Sequence, residues 1–426
     1  MRLRSSKVIG EQKNSTEQII EQQFPPSPFG KKRNQILDRF VTSKRHCLPK
    51  DALSKEEEEK LKILAYVKSE VLNDPTAADQ YTDLTIDVNS PYAKRFQTLP
   101  MSEVGRRILQ TRHYERRFNP SPIKVLDAPD LQDDFYLNLM DWGVNDCLAI
   151  GLGSTVYLWN ANTSQVTELY NLSPDRVTSV QWSKLGHLLM VGTHRGCLVL
   201  FDAQTQQLLR TWSVHLARVS SLSWAANVLS SGGKSCTIYH HDIRSNAAYF
   251  RMLTGHTQEI CGLRWDMDNM RLASGSNDNN LMIWDARQNY RVHRFDEHRA
   301  AVKALSWSPH KRGLLVSGGG TADKTIKYWN TLKGTMVSSH DTGSQVCSLI
   351  WSKLTDEVVS SHGYANHWLN QSNQINIWKS NRNLGTLSGH SSRVLYMSLS
   401  PDGRTLVTGA ADETLMFWDL FQNVHC

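Results

Sequence analysis

The 426-residue sequence has no run of 18 apolar residues, no CxxC pair and no leader in which positive charge precedes an apolar stretch. The expectation is therefore neither a membrane span nor secretion. Its seven cysteines are odd in number and scattered, which fits a reduced compartment and offers no metal or cofactor signature. No phosphate loop and no isolated nucleophile appears either. The first 123 residues contain none of the 13 tryptophans and only three of the 25 glycines, at Gly10, Gly30 and Gly105. That arm also holds 22 Lys and Arg against 16 Asp and Glu, or +6 of the total +7. The remainder is close to neutral, which speaks against nucleic acid as a partner.

From about residue 124 the chain repeats. The stretch 389–419 holds one full copy: Gly389-His390, two apolar runs around Pro401-Asp402-Gly403, Asp412 in a tight turn, and a strand ending on Trp418-Asp419. The matching strand ends are Trp159, Phe201, His241, Trp284, Trp329, Trp378 and Trp418, spaced by 42, 40, 43, 45, 49 and 40 residues. Seven units of this length are expected to be four-stranded WD-type blades that close into a ring and so remove unpaired sheet edges. The expected architecture is all-β: a seven-bladed WD-repeat β-propeller over 124–426, preceded by a flexible arm over 1–123. The segment Ile123 to Asp127 has strand character and is expected to supply the outer strand beside Leu415 to Trp418.

The better repeats each carry a His, a Ser or Thr, an Asp and a Trp: His256, Ser274, Asp278 and Trp284; His298, Ser317, Asp323 and Trp329; His390, Thr408, Asp412 and Trp418. A set that recurs in several blades cannot be one active site, and a buried indole N–H needs an acceptor. The sets are therefore structural, and no catalytic residue is expected. Lys234 stands where an Asp is expected and His241 where a Trp is, so that blade is expected to lean on apolar packing and to be more irregular. The insert Ala365 to Asn373 reads as an enlarged surface loop.

The arm has too little apolar content to offset the entropy of ordering it. Two islands stand out. Asp38-Arg39-Phe40-Val41-Thr42-Ser43-Lys44 is a short basic and aromatic segment, and 54–73 reads as a helix. There Ser54 and Glu57 have capping-box spacing, and Leu61, Leu64, Val67 and Val71 share a face. That face suits either a partner protein or the chain's own propeller. Basic pairs at Lys31-Lys32-Arg33, Arg106-Arg107 and Arg116-Arg117 serve either nuclear import or solvation, and the expected location is nucleus and cytoplasm. Ser27, Ser90 and Ser121 each precede proline and are candidate phosphorylation sites.

The run from Lys124 to Leu139, KVLDAPDLQDDFYLNL, together with GLGSTVYLWNA from Gly151, DTGSQVCSLIWS from Asp341, GHSSRVLYMSLSPDG from Gly389 and TGAADETLMFWD from Thr408, resembles the Fizzy and Fizzy-related family, the Fizzy-related branch above all. The resemblance implies a coactivator of the anaphase-promoting complex, a ubiquitin ligase: an adaptor without cofactors that recruits degron-bearing cell-cycle proteins such as cyclins in mitosis or meiosis. It implies that Leu126, Asp127 and Glu413 hold an Arg-x-x-Leu destruction box, two carboxylates taking the guanidinium and an apolar wall the leucine. A Lys-Glu-Asn motif would lie on Asp134, Asn277, Thr321, Gln345 and Arg393. Residues 38–44 resemble the ligase-docking C-box, with Thr42 for the usual proline and Lys44 for the last arginine. Lysine cannot reproduce an arginine fork. The sequence ends at Val424-His425-Cys426 without the family's Ile-Arg tail, so weaker or more conditional ligase engagement is expected. The alternative is a degenerate member that binds degrons without activating the ligase.

Overall fold

The computed structural model describes residues 118–365 and 373–421. The C-box-like segment 38–44, the helix over 54–73, the paired basic residues and most of the insert after Ala365 lie outside them. The described residues form seven four-stranded antiparallel sheets. Blades 1 to 6 take consecutive strands, over 140–171, 177–213, 221–254, 260–295, 302–341 and 344–387. Blade 7 combines Val394–Leu399, Thr405–Ala410 and Thr414–Asp419 with Lys124–Asp127 as its outermost strand. Lys124 lies opposite Phe417 and Asp127 opposite Thr414. The ring is closed by the strand that precedes its own first blade, as the strand character of that segment predicts. All seven strand ends read from the repeat fall in the third strands of their blades.

Innermost strands are buried on both faces, because each lies between the innermost strands of the two neighbouring blades. Neighbouring blades are stitched through these strands. The Trp142 amide donates to Ser398 Oγ at 2.9 Å, Trp182 to Asp141 Oδ2 at 2.8 Å, Trp265 to Ser223 Oγ at 3.0 Å and Trp351 to Ser306 Oγ at 3.0 Å. Where Gln181 and Arg264 occupy that position, the backbone substitutes: Trp224 Nε1 reaches Gln181 O at 3.3 Å and Trp307 Nε1 reaches Arg264 O at 2.9 Å.

The recurrent sets do the structural work expected of them. His256 Nε2 and Trp284 Nε1 share Ser274 Oγ at 2.7 and 2.8 Å, while His256 Nδ1 faces Asp278 at 3.0 Å. The same arrangement joins His390, Thr408, Asp412 and Trp418, and joins His298, Ser317, Asp323 and Trp329. Blade 3 differs from expectation. It rebuilds the network with other residues: His215 Nδ1 bonds Ser235 Oγ, His215 Nε2 bonds Ser231 Oγ, and His241 Nε2 takes the indole's place on Ser231, each at 2.8 Å. Blade 6 uses His362 from its own second strand, bonded to Ser344 and Ser360, with Trp378 Nε1 on Ser360 Oγ at 2.6 Å. Apolar packing carries blade 1 instead. There Trp142, Trp159 and Phe417 form an aromatic cluster at the seam, with Trp142 to Phe417 centroids 5.7 Å apart. Ser231→Ala would leave two buried imidazole nitrogens unpaired. The expected cost is about 2–4 kcal/mol, read as a lowered thermal midpoint.

These histidines make the ring acid-sensitive. Burial pulls His215, His240 and His362 down to about 3 and His241 to about 4. A folded-state pKa below the unfolded one means that the stability is complete above about 6.5 and lost as pH falls toward the folded values. Each such group contributes a slope of about 1.4 kcal/mol per pH unit in that window. Asp141 acts oppositely, since burial raises it to about 6, so its protonation favours the fold as pH drops below 6. Four groups outweigh one, and thermal scans are expected to show the midpoint falling steadily from pH 6.5 to 5.

Candidate functional site

The segment between the closing strand and blade 1 crosses the ring instead of skirting it. Leu131, Phe135, Leu137 and Leu139 are buried in one core with Val177, Ala301, Cys347, Leu395 and Tyr396, so alternate residues plug the mouth of the channel. The intervening residues tie blades together. Asn138 Nδ2 donates to Ser220 O at 2.6 Å and Cys261 O at 3.2 Å, Tyr136 OH to Asn277 Oδ1 at 2.8 Å, and Tyr396 OH to Gln132 O at 2.7 Å. Beneath the plug lies Lys303, 5% exposed. Its Nζ stands 3.2 Å from Leu395 O and 5.5 and 5.1 Å from the ring centroids of Phe135 and Tyr396. Burial pulls this ammonium down to about 8.

All five residues assigned to the Lys-Glu-Asn motif fall on this face. Asn277 and Thr321 lie in the turns between second and third strands of blades 4 and 5, Gln345 and Arg393 at the starts of the innermost strands of blades 6 and 7, and Asp134 on the plug. Two of them already stand in ion pairs. Asp134 Oδ2 meets Arg218 Nη1 at 2.8 Å while its Oδ1 accepts the Tyr136 amide at 2.9 Å. Glu259 holds the other edge of Arg218 through contacts of 2.7 and 2.8 Å. Arg393 bonds the Asp133 carboxylate through Nε and the Asp133 carbonyl through Nη2 at 2.8 Å, and lies 4.8 Å from the Tyr364 ring centroid. Asn277 Nδ2 donates to Gln258 Oε1 at 2.6 Å. Thr321 is exposed. Gln345 is only 4% exposed, and among the described residues its Oε1 has no hydrogen-bond partner.

At the seam the structural set of blade 7 shapes a second feature. His390 holds Asp412, and Asp412 Oδ1 accepts the Thr414 hydroxyl at 2.7 Å and its amide at 3.2 Å. The turn this forms carries Glu413 at φ 60°, in the left-handed region, and projects it as an exposed side chain. The Ala128 amide donates to Glu413 O at 2.7 Å, and Asp127 lies opposite Thr414. Asp127 and Glu413 are thus two exposed carboxylates on adjacent backbone at one end of the seam. Leu126, opposite Leu415, is half-buried against the core. The seam can receive a cation with an apolar neighbour, and the plug face can receive an extended polar segment.

Reasoning from sequence did not single out Asp133, Tyr136, Arg218, Glu259, Lys303 or Tyr364. The period-two alternation of Leu131, Phe135, Leu137 and Leu139 was the available signal for the plug. Among the described residues no group of three or more His, Cys, Asp or Glu could hold a metal ion, and no helix is long and apolar enough to cross a membrane.

Fold and repeated sets define a seven-bladed WD-repeat propeller. A family model described as the CDC20/Fizzy WD40 domain matches residues 126–418, and the chain belongs to that family. It is 49% identical over 339 residues to WD repeat-containing protein srw1 of Schizosaccharomyces pombe, covering 79% of this chain and 60% of the relative. It is 46% identical to Meiotic fizzy-related protein 1 of the same yeast, covering 78% of this chain and 79% of the relative. Against Anaphase-promoting complex subunit cdh1 of Dictyostelium discoideum the identity is 44%, over 78% of this chain and 48% of the relative. Such relatives place it with the Fizzy-related branch. A chain in a solved structure described as the Mitotic Checkpoint Complex superposes with a TM-score of 0.70 at 42% identity, covering 76% of this chain and 98% of that chain. The chain thus spans three fifths or less of the length of two of these three relatives.

Proposed function

We propose that this protein is a non-catalytic substrate adaptor and coactivator of the anaphase-promoting complex. Its ring face would recruit degron-bearing cell-cycle proteins such as cyclins, and the segment 38–44 would dock on the ligase. The observation that carries this reading is the seam, where Asp127 and Glu413 stand exposed on adjacent backbone beside Leu126, two carboxylates for a guanidinium with an apolar neighbour. On the plug face Gln345 would offer its amide group to a bound peptide. Around it, Asp134 would take the lysine of a Lys-Glu-Asn motif, Arg393 the glutamate, and Asn277 and Thr321 the asparagine. Asp127, Glu413 and Leu126 would take the arginine and leucine of a destruction box. The relatives named for the anaphase-promoting complex and for meiosis favour this reading, as does the likeness to a chain of the mitotic checkpoint assembly. Action in nucleus and cytoplasm follows from the same proposal.

The test is to purify the full chain with tagged ligase core and to reconstitute ubiquitination of a cyclin fragment. Co-purification with stimulated ubiquitination supports the coactivator. Degron binding without stimulation supports the non-activating scaffold, which the Thr42 and Lys44 departures favour. Absence of both binding and stimulation overturns the proposal. Gln345→Ala is expected to weaken binding of a Lys-Glu-Asn peptide about tenfold, measured by calorimetry.

A further inference from the structure

Asp133 and Asp134 are neighbours in sequence with opposite circumstances on the plug. Each oxygen of Asp134 has one internal partner, a backbone amide and Arg218, and keeps a lone pair for a further donor. Asp133 is half exposed, and among the described residues its carboxylate bonds only Arg393, whose own side chain is 14% exposed. Arg393 has two further supports that do not need this carboxylate: the Asp133 backbone carbonyl at 2.8 Å and the Tyr364 ring at 4.8 Å. Removing the Asp133 carboxylate would therefore leave the guanidinium in place with its Nε edge open. The departing side chain, already at the surface, would be solvated at little cost.

We propose that Asp133 is a resident competitor at the peptide site. Its carboxylate occupies the edge of Arg393 that an acidic peptide side chain takes, and binding exchanges one carboxylate for the other. This inference rests on the Lys-Glu-Asn reading given above and adds a specificity device to it. A ligand must present an acid positioned well enough to displace one that is tethered and always present. Peptides that reach Arg393 poorly are rejected, because the internal pair is the better alternative.

Calorimetry of the full chain with a Lys-Glu-Asn peptide and its Lys-Gln-Asn counterpart tests it. Asp133→Asn, which keeps the side-chain shape, is expected to tighten the glutamate peptide about three- to tenfold and to leave the glutamine peptide nearly unchanged. In an Arg393→Ala background the gain should vanish, which separates competition at this guanidinium from a general change of surface charge. Weaker or unchanged binding in Asp133→Asn, with binding still lost in Arg393→Ala, would overturn the competitor role and leave the site standing. Binding indifferent to Arg393→Ala would overturn the site assignment itself. Thermal scans of each variant exclude unfolding as the cause.

Discussion

Replacing both Asp127 and Glu413 with alanine is expected to weaken an Arg-x-x-Leu peptide at least about a hundredfold, while a Lys-Glu-Asn peptide is retained. Each charge-assisted hydrogen bond to a guanidinium contributes about 1.5–3 kcal/mol, so losing two removes most of what fixes the arginine. Neither carboxylate has an internal ion-pair partner among the described residues, and both are exposed. Their removal should therefore leave the propeller's thermal midpoint within about a degree. The single substitutions should each retain part of the affinity, and a Leu126→Ala variant should act on the leucine of the motif alone. Fluorescence anisotropy with labelled peptides reads all four variants. Undiminished affinity in the double variant would remove the seam from the recognition mechanism.

Gly275→Ala should cost more stability than any of these. A Cβ there would stand 2.3 Å from the Val302 carbonyl oxygen and 2.9 Å from Val302 Cγ1. The backbone atom cannot rotate away as a side chain can, so the second strand of blade 4 would have to move off the innermost strand of blade 5. Overpacking of this kind costs about 1–3 kcal/mol and sometimes more, and the upper end applies because a closed ring cannot open one seam without straining the others. A loss of about 3 kcal/mol corresponds to a thermal midpoint lower by roughly 10 °C. Differential scanning calorimetry would show it. Gly275→Ser should behave alike, since the clash lies at Cβ.

How the sequence announces this fold is plain from its repeat. Tryptophan or a substitute recurs at intervals of 40 to 49 residues, and in three repeats the His, Ser or Thr and Asp that accompany it mark where the blade turns. The pairing of Lys124–Asp127 with Thr414–Asp419 follows from the need to leave no edge open. Blade 3 was harder to read, because Ser235 does the work of an aspartate one position after Lys234, and His241 presents a nitrogen where the indole would. A motif written in residue types misses an arrangement that satisfies the same hydrogen bonds with different atoms. The face was harder still. Asp133 and Asp134 are equivalent in any window of sequence, and their partners stand 260 and 84 residues away.

Local rules determined the class of structure. Strand alternation and turn residues are short-range demands, as is the hydroxyl acceptor that the indole finds in blades 4 to 7, and seven such sheets in series leave a closed ring as the way to bury every edge. Only the assembled molecule decided how the charges on its face are shared. Which acid neutralises which arginine depends on side chains that meet solely because the ring has closed and the plug has crossed it. An ion pair between distant segments is specified by three-dimensional distance and by desolvation, and neither quantity has a counterpart along the chain.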